Sequence, residues 1–240
     1  MNATFAIGGD LVVRRLGFGA MRIVEAPQRA AAVLRRALEL GVTLIDTADV
    51  YGPETSELLI AEALHPYPEG LVIATKGGIT FDGDAGRTRD GRPEYLRRAC
   101  EASLRRLRLE RIDVYQLHRH DPEIPIEDSV GALAELRSEG KIRHVGLSNV
   151  GVEQVRRAQA IVPIATVQNE YNRGLVVAQD VLDACEEDRI GFIPWRPLGD
   201  GYAGDRVHEL VWLLDRSPVM LPIPGTSSVD HLEVNMQAAS

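Results

Sequence analysis

Leu44-Ile45-Asp46-Thr47-Ala48-Asp49-Val50-Tyr51-Gly52 is the stretch on which the reading of this chain turns. An apolar run stops at a carboxylate, and five residues later, past a short turn, a tyrosine precedes a glycine. If the run is a buried strand, Asp46 sits at its carboxyl end and Tyr51 stands on the loop beyond it, where proteins of alternating strands and helices keep their chemistry. Taken alone, the stretch also reads as a turn capped by Asp46 with Tyr51 as a surface ring, so the flanking sequence decides.

The flanks repeat the pattern. Leu71-Val72-Ile73-Ala74-Thr75 is a second apolar run, and it delivers Lys76 ahead of Gly77-Gly78. A third, over residues 112–117, delivers His118. Between the runs lie stretches with apolar residues at helical spacing, at 29–40, 54–64, 93–108 and 126–139, several of them closed by glycine or proline. Further strand-length runs at 144–147, 164–167, 191–195 and 219–223 alternate with helical patterns at 152–160, 179–187, 205–216 and 229–238. With a first strand at 16–19 there are eight strand-helix units, and a hairpin over 4–14, turning at Gly8-Gly9, precedes them. Two-sided apolar strands in strict alternation with helices predict a parallel sheet covered by helices, and eight units favour closure into an α/β barrel of about 250 residues, a (β/α)8 TIM barrel with an N-terminal β-hairpin. A doubly wound open sheet is the alternative, against which no G-x-G-x-x-G follows the first strand. Residues 79–92, rich in glycine and charge, read as a long loop, a length usually reserved for function or motion.

The 240 residues, 45% hydrophobic and 26% charged, are expected to form one domain over 1–240. A formal net charge of -8 disfavours a nucleic-acid or anionic-membrane surface, while leaving room for a local basic pocket. With no basic leader and no run long enough to span a bilayer, a cytoplasmic protein is expected. Cys100 and Cys185 fall in helical patterns without metal or redox spacing and read as buried thiols.

In a closed parallel barrel, Asp46, Lys76 and His118 open onto one rim with Tyr51 just above. Their chemistry suggests proton transfer through a phenol. Tyrosine has an ordinary pKa of about 10, a nearby ammonium lowers it, and a carboxylate holds that ammonium in place. His118 can polarise a carbonyl oxygen. No side chain supplies hydride, so a nicotinamide cofactor is implied, with a small carbonyl compound as substrate.

At this point the chain resembles the aldo-keto reductase superfamily along nearly its whole length. The matching pieces are LIDTADVYG, VIATKGG, YQLH, KIRHVGLSN, QNEYN, IPWRPLG and LPIPGTSS, in that family's order. The resemblance implies a barrel that binds NADP (NADPH) or NAD in extended form and reduces an aldehyde or ketone. It makes Tyr51 the general acid, Lys76 and Asp46 its tuning pair, and His118 the carbonyl-orienting residue. Ser148, Asn149 and Gln168 match residues that hold the nicotinamide carboxamide, Trp195 the aromatic against its ring, and Gly19, Ala20 and Met21 the loop beside it. Leu198 and Gly199 resemble the pyrophosphate segment, and Gly225, Thr226 and Ser227 the adenosine-phosphate site. In the closing helix, His231 stands where an arginine often meets the 2'-phosphate and Val234 where a glutamate often meets adenine, whereas Asn235 matches.

The chain is short for that family between Met21 and Arg29 and between Leu198 and Ser217, where one helix does the work of a loop and two helical pieces. The trimming thins the wall over the pyrophosphate and makes a cofactor-binding or regulatory barrel with weak or no turnover the second reading. A metal-dependent hydrolase on the same barrel would need more strand-end ligands than Asp46 and His118, so no metal is expected.

Overall fold

Alternation of apolar runs and amphipathic stretches produces a curled parallel sheet wrapped by helices, in a computed structural model that describes residues 3–82, 86–199 and 204–239. The hairpin pairs β1 (Thr4–Ile7) with β2 (Leu11–Arg14) antiparallel. Then come β3 (Phe18–Gly19), a 3-10 turn over Ala20–Glu25, α1 (Pro27–Glu39), β4 (Leu44–Asp46), α2 (Thr55–Leu64) and β5 (Val72–Gly77). A second antiparallel hairpin, β6 (Ile79–Asp82) and β7 (Gly86–Arg89), leads to α3 (Pro93–Leu107) and β8 (Ile112–Leu117). The remaining order is α4 (Ile126–Ser138), β9 (Ile142–Ser148), α5 (Val152–Gln159), β10 (Ile164–Glu170), α6 (Gln179–Asp188), β11 (Gly191–Trp195), α7 (Arg206–Arg216) and α8 (Val229–Met236).

The main sheet has seven strands in the order β11-β10-β9-β8-β5-β4-β3. Its two edges are joined by residues 219–225. Phe192 N donates to Val219 O and Leu221 N to Phe192 O on one side, while on the other Gly17 N donates to Pro222 O and Gly19 bridges Gly225. The eighth strand expected at 219–223 is therefore a seam rather than a regular strand. Pro222 and Pro224 have no N–H to give, so the ladder cannot continue through them. The seam is also tight: a Cβ on Gly19 would lie 2.6 Å from Ile223 O, and one on Gly225 would lie 2.7 Å from Gly19 O.

Side chains alternate along each strand, so every second residue faces the barrel axis. At the amino-terminal end these are Leu44, Val72, Val114, Ile193 and Leu221, and the hairpin's Ile7, Leu11 and Val13 plug that end. Asp10, in the hairpin's turn region, anchors the plug to β9 through Arg143 and through His144, at 2.6 Å from Nε2. His144 thus has a partner that sequence reading had not supplied. Its ring also occupies the space a side chain on Gly8 would need. Two residues further along the strands the inward positions become polar, and the site begins there. Between sheet and helices lies a second, larger apolar layer in which Cys100 and Cys185 are buried as free thiols.

The stretch expected to be a long loop, 79–92, is instead the hairpin β6–β7. Its Ile-Thr-Phe and Arg-Thr-Arg segments place β-branched Thr80 and Thr88 opposite each other. Beneath this mouth, α2 and α3 carry a buried ionic cluster. Glu57 accepts from Thr75 Oγ1 and from Arg106 Nε, each at 2.6 Å. The Arg106 side chain is 11% exposed and Glu57 fully buried, so the pair is largely shielded from solvent. The neighbouring Asp49 is 8% exposed, and burial together with the charge of Glu57 pushes its carboxyl up to about 7.

Two outcomes are expected. Gly19→Ala should cost about 1–3 kcal/mol, read from the midpoint of denaturant unfolding, because the seam has no room for a methyl group. For Asp49, a folded pKa above the unfolded value of 3.8 means that stability falls as pH rises from 4 towards 7 and is flat beyond. Asp49→Asn should match the parent in thermal melts near pH 4 and exceed it by a margin on the order of 3–4 kcal/mol at pH 8. A margin that does not grow with pH would remove that account.

Candidate active site

Inward alternation carries each strand from an apolar lower position to a polar upper one. Leu44 is followed two residues later by Asp46, Ala74 by Lys76, Val114 by Gln116 and then His118, and Ile193 by Trp195. The expected rim residues therefore converge because the apolar plug below them fixes which face is inward.

At the centre is an ion pair. Lys76 Nζ donates to Asp46 Oδ1 at 2.6 Å and to Thr47 O at 2.7 Å, and neither residue is more than 1% exposed. Asp46 Oδ2 accepts from Gln116 Nε2 at 3.1 Å and from Gln168 Nε2 at 2.8 Å. Gln116 escaped sequence reading as a site residue. Its position two before His118 on one strand was the available signal. Gln168, matched by resemblance to a cofactor contact, also holds Asp46 from across the barrel.

Tyr51 stands over this pair, with Lys76 Nζ 5.2 Å from the ring centroid and the His118 ring edge-on at 5.9 Å. Desolvation raises the Tyr51 hydroxyl above its ordinary value; the Lys76 ammonium opposes the rise and the Asp46 carboxylate adds to it. The simple expectation that the ammonium lowers this pKa is corrected: burial outweighs it. For Lys76, burial disfavours the charge, but Asp46 and Tyr51 outweigh it and hold the ammonium above its usual range. His118 is driven well below its ordinary value by burial first, then by Lys76, Arg119 and Arg87. Its Nδ1 is buried without a partner among the described residues.

These groups open into a cleft of about 820 Å³. Asp46, Tyr51 and His118 line its floor, with Ser148, Asn149, Gln168 and Trp195 along one wall. Asn149 adopts a left-handed φ of 58°, and its side chain links the wall: Nδ2 donates to His118 O and Ser148 Oγ, and Oδ1 accepts from Trp195 Nε1 at 3.2 Å. Gly19, Met21, Leu198, Gly199 and Gly225 complete that side.

Other expected residues do not reach the lining. Ala20 is buried, its carbonyl accepting from Ser56 Oγ. Thr226 and Ser227 lie past Gly225, where Thr226 Oγ1 accepts from Ser228 N and Ser228 caps α8. His231 is exposed on α8. Asn235 is fully buried with both side-chain polar atoms unpartnered among the described residues. The rim also carries Arg22, Arg87, Arg89, Arg119, Arg196 and Arg206. Arg87 and Arg89 lie on β7, Arg206 opens α7 and the others lie on connections, outside the barrel strands whose alternation marks inward positions. Part of the trimmed connection after Leu198, residues 200–203, lies outside the described residues. Among the described residues no group of three or more His, Cys, Asp or Glu could hold a metal ion, and no helix is long and apolar enough to cross a membrane.

Comparison with known proteins agrees with this geometry. The Aldo/keto reductase family pattern matches residues 15–210. An uncharacterized oxidoreductase of Schizosaccharomyces pombe is 45% identical over 255 residues, covering 96% of this chain and 83% of that protein. Pyridoxine 4-dehydrogenase of Escherichia coli is 41% identical over 265 residues, covering 98% and 92%. A crystal structure of an aldo-keto reductase from Klebsiella pneumoniae in complex with NADPH superimposes with a TM-score of 0.84 at 28% identity, covering all of this chain and 90% of that one. The (β/α)8 barrel with its amino-terminal hairpin, the strand-end constellation and these matches together show that the chain belongs to the aldo/keto reductase family of oxidoreductases.

Proposed function

We propose that the protein is a cytoplasmic, NADPH-preferring reductase of aldehydes or ketones, with NADH as a second donor. The observation that carries this reading is the convergence of Tyr51, Lys76, Asp46 and His118 on one cleft floor.

The residues fit a dinucleotide. The cleft is of the size that takes an extended ligand, and Trp195 offers a flat aromatic wall. Asn235 holds a buried amide with unused hydrogen-bonding capacity, an acceptor and donor pair suited to an adenine edge. Trp195, Ser148, Asn149 and Gln168 would hold the nicotinamide end, Leu198 and Gly199 the pyrophosphate, and the segment from Gly225 to Asn235 the adenosine end. Bound there, the reduced nicotinamide supplies hydride to the carbonyl carbon.

The chain's own groups manage the oxygen and its proton. With Nδ1 buried and unpartnered, the neutral His118 ring keeps its proton on Nε2 and donates it as a hydrogen bond to the carbonyl oxygen. Tyr51 delivers its hydroxyl proton to that oxygen as negative charge develops. The raised Tyr51 pKa keeps this acid protonated through neutrality, which favours reduction over alcohol oxidation. Lys76 stabilises the phenolate left behind, and Asp46 holds Lys76 in place.

Tyr51→Phe should lower NADPH-dependent carbonyl reduction by about 10²–10⁴-fold, while the affinity seen by NADPH fluorescence titration stays within about twofold. Normal turnover in the variant would overturn the assignment. Failure of the parent protein to bind millimolar NADPH would favour the regulatory-barrel reading, which the short connections around Met21 and after Leu198 would explain.

A further inference from the structure

The cleft is basic in a protein that is not. Its lining includes six arginines against Glu25 and Asp46, whereas the whole chain has 27 basic and 35 acidic residues. Several of these charges are already used. Asp46 is neutralised by Lys76, Arg22 pairs with Glu25, Arg196 with Glu170, and Arg89 donates to His120 O. The side chains of Arg87 and Arg119 make no hydrogen bond or ion pair among the described residues.

Their placement separates them from the cofactor wall. That wall comes from β9, β10 and β11 and from the seam beside β3. Arg119 instead follows β8 directly after His118, and Arg87 lies on β7, in the hairpin that follows β5. The hairpin's base is tied to the segment bearing Arg119. Arg89 Nη1 donates to His120 O and Gly91 N to Asp121 Oδ2. Both guanidiniums are close enough for their charges to act on His118, and Arg87 also acts on Tyr51. Arg87 is exposed and Arg119 half-buried, so both guanidiniums stand at the mouth of the cleft beside Tyr51 and His118, open to a counter-charge on an incoming molecule.

We infer that Arg87 and Arg119 form the substrate's anchoring site, and that the preferred substrate is an aldehyde or ketone bearing an oxyanion group, a carboxylate or phosphate, set away from its carbonyl. This assignment rests on the reductase reading for its carbonyl half. The oxyanion lies between the two guanidiniums, whose planar donors suit it, and the carbonyl then reaches Tyr51 and His118. Charge-assisted hydrogen bonds of this kind are worth about ten- to hundredfold in affinity or kcat/KM.

The test compares charged and neutral versions of one molecule. NADPH oxidation is followed with 4-carboxybenzaldehyde against methyl 4-formylbenzoate, and with glyceraldehyde 3-phosphate against glyceraldehyde. The pair with the larger ratio names the oxyanion. A preference for the anion of about ten- to hundredfold is expected in at least one pair, falling as salt is added. Arg87→Gln and Arg119→Gln should each lower it at least fivefold, mostly through KM, while Arg98→Gln, an equal charge change on the outside of α3, leaves it intact. Calorimetric titration with 4-carbamoylbenzoate and its methyl ester reads the same site without turnover. Equal use and equal binding of acid and ester, no binding of either, or a preference that survives in the double variant would overturn the inference. A calorimetric preference lost in the arginine variants, with no aldehyde reduced, would instead keep the arginine site and retire the reductase reading.

Discussion

Everything at the top of this barrel depends on the ion pair between Asp46 and Lys76. Burying an ammonium and a carboxylate is costly, and the pair is tolerable only because its remaining hydrogen-bonding capacity is used. Thr47 O takes a second Lys76 proton, and the amides of Gln116 and Gln168 both reach the free Asp46 oxygen. These groups come from β4 and the residue after it, β5, β8 and β10, so the polar layer crosses the barrel much as the apolar layer beneath it does. Removing one partner would strand the other in low dielectric at a cost of about 3–5 kcal/mol. The pair is therefore a structural constraint as well as a chemical one, and it fixes the ammonium 5.2 Å from the Tyr51 ring centroid.

That fixed charge sets the protonation of its neighbours. Burial and the cations around it hold His118 well below its ordinary value, which in the proposed reduction leaves it to orient an oxygen rather than compete as the acid. Tyr51 keeps its proton because desolvation outweighs the ammonium. In the proposed reaction the ammonium's contribution would lie in the product of proton transfer, where it would stabilise the phenolate in the same low dielectric that strengthens their attraction. A group tuned to give up a proton only during the reaction suits reduction better than one already ionised.

The parts of this arrangement legible in the sequence were those governed by period and by strand ends. Alternation identified Asp46, Lys76 and His118, and the apolar runs gave the barrel and the plugging hairpin. Three features escaped because they depend on partners remote in sequence. Gln116 acquires its role only when Asp46 arrives from β4, and His144 only when the hairpin brings Asp10 beneath β9. The sign of the Tyr51 shift needed the burial of its hydroxyl, which no spacing encodes. The hairpin at 79–89 was hidden by its glycines and charges, which imitate loop composition although Thr80 and Thr88 pair across it. The missing eighth strand had a local signal in Pro222 and Pro224, outweighed by the apolar run around them.

The seam and the ion pair divide the barrel into unequal halves. On the acid-base side, β4, β5, β8 and β9 are joined by regular parallel ladders and crossed by the Asp46 network. On the other side, closure rests on a few hydrogen bonds to residues 219–225 and on glycine-to-glycine contact at Gly19 and Gly225. Local opening free energies follow the number of buried contacts and backbone bonds that must break. Adjusting the seam to admit a long ligand therefore disturbs fewer interactions than moving Tyr51 or Lys76. Four of the residues matched to the cofactor by resemblance, Gly19, Leu198, Gly199 and Gly225, lie on this weaker side, whereas Asp46, Lys76 and His118 lie on the stronger one beside Ser148 of β9. In the proposed reductase, a barrel arranged in this way would accept and release a large ligand while Tyr51 stays in register with the carbonyl.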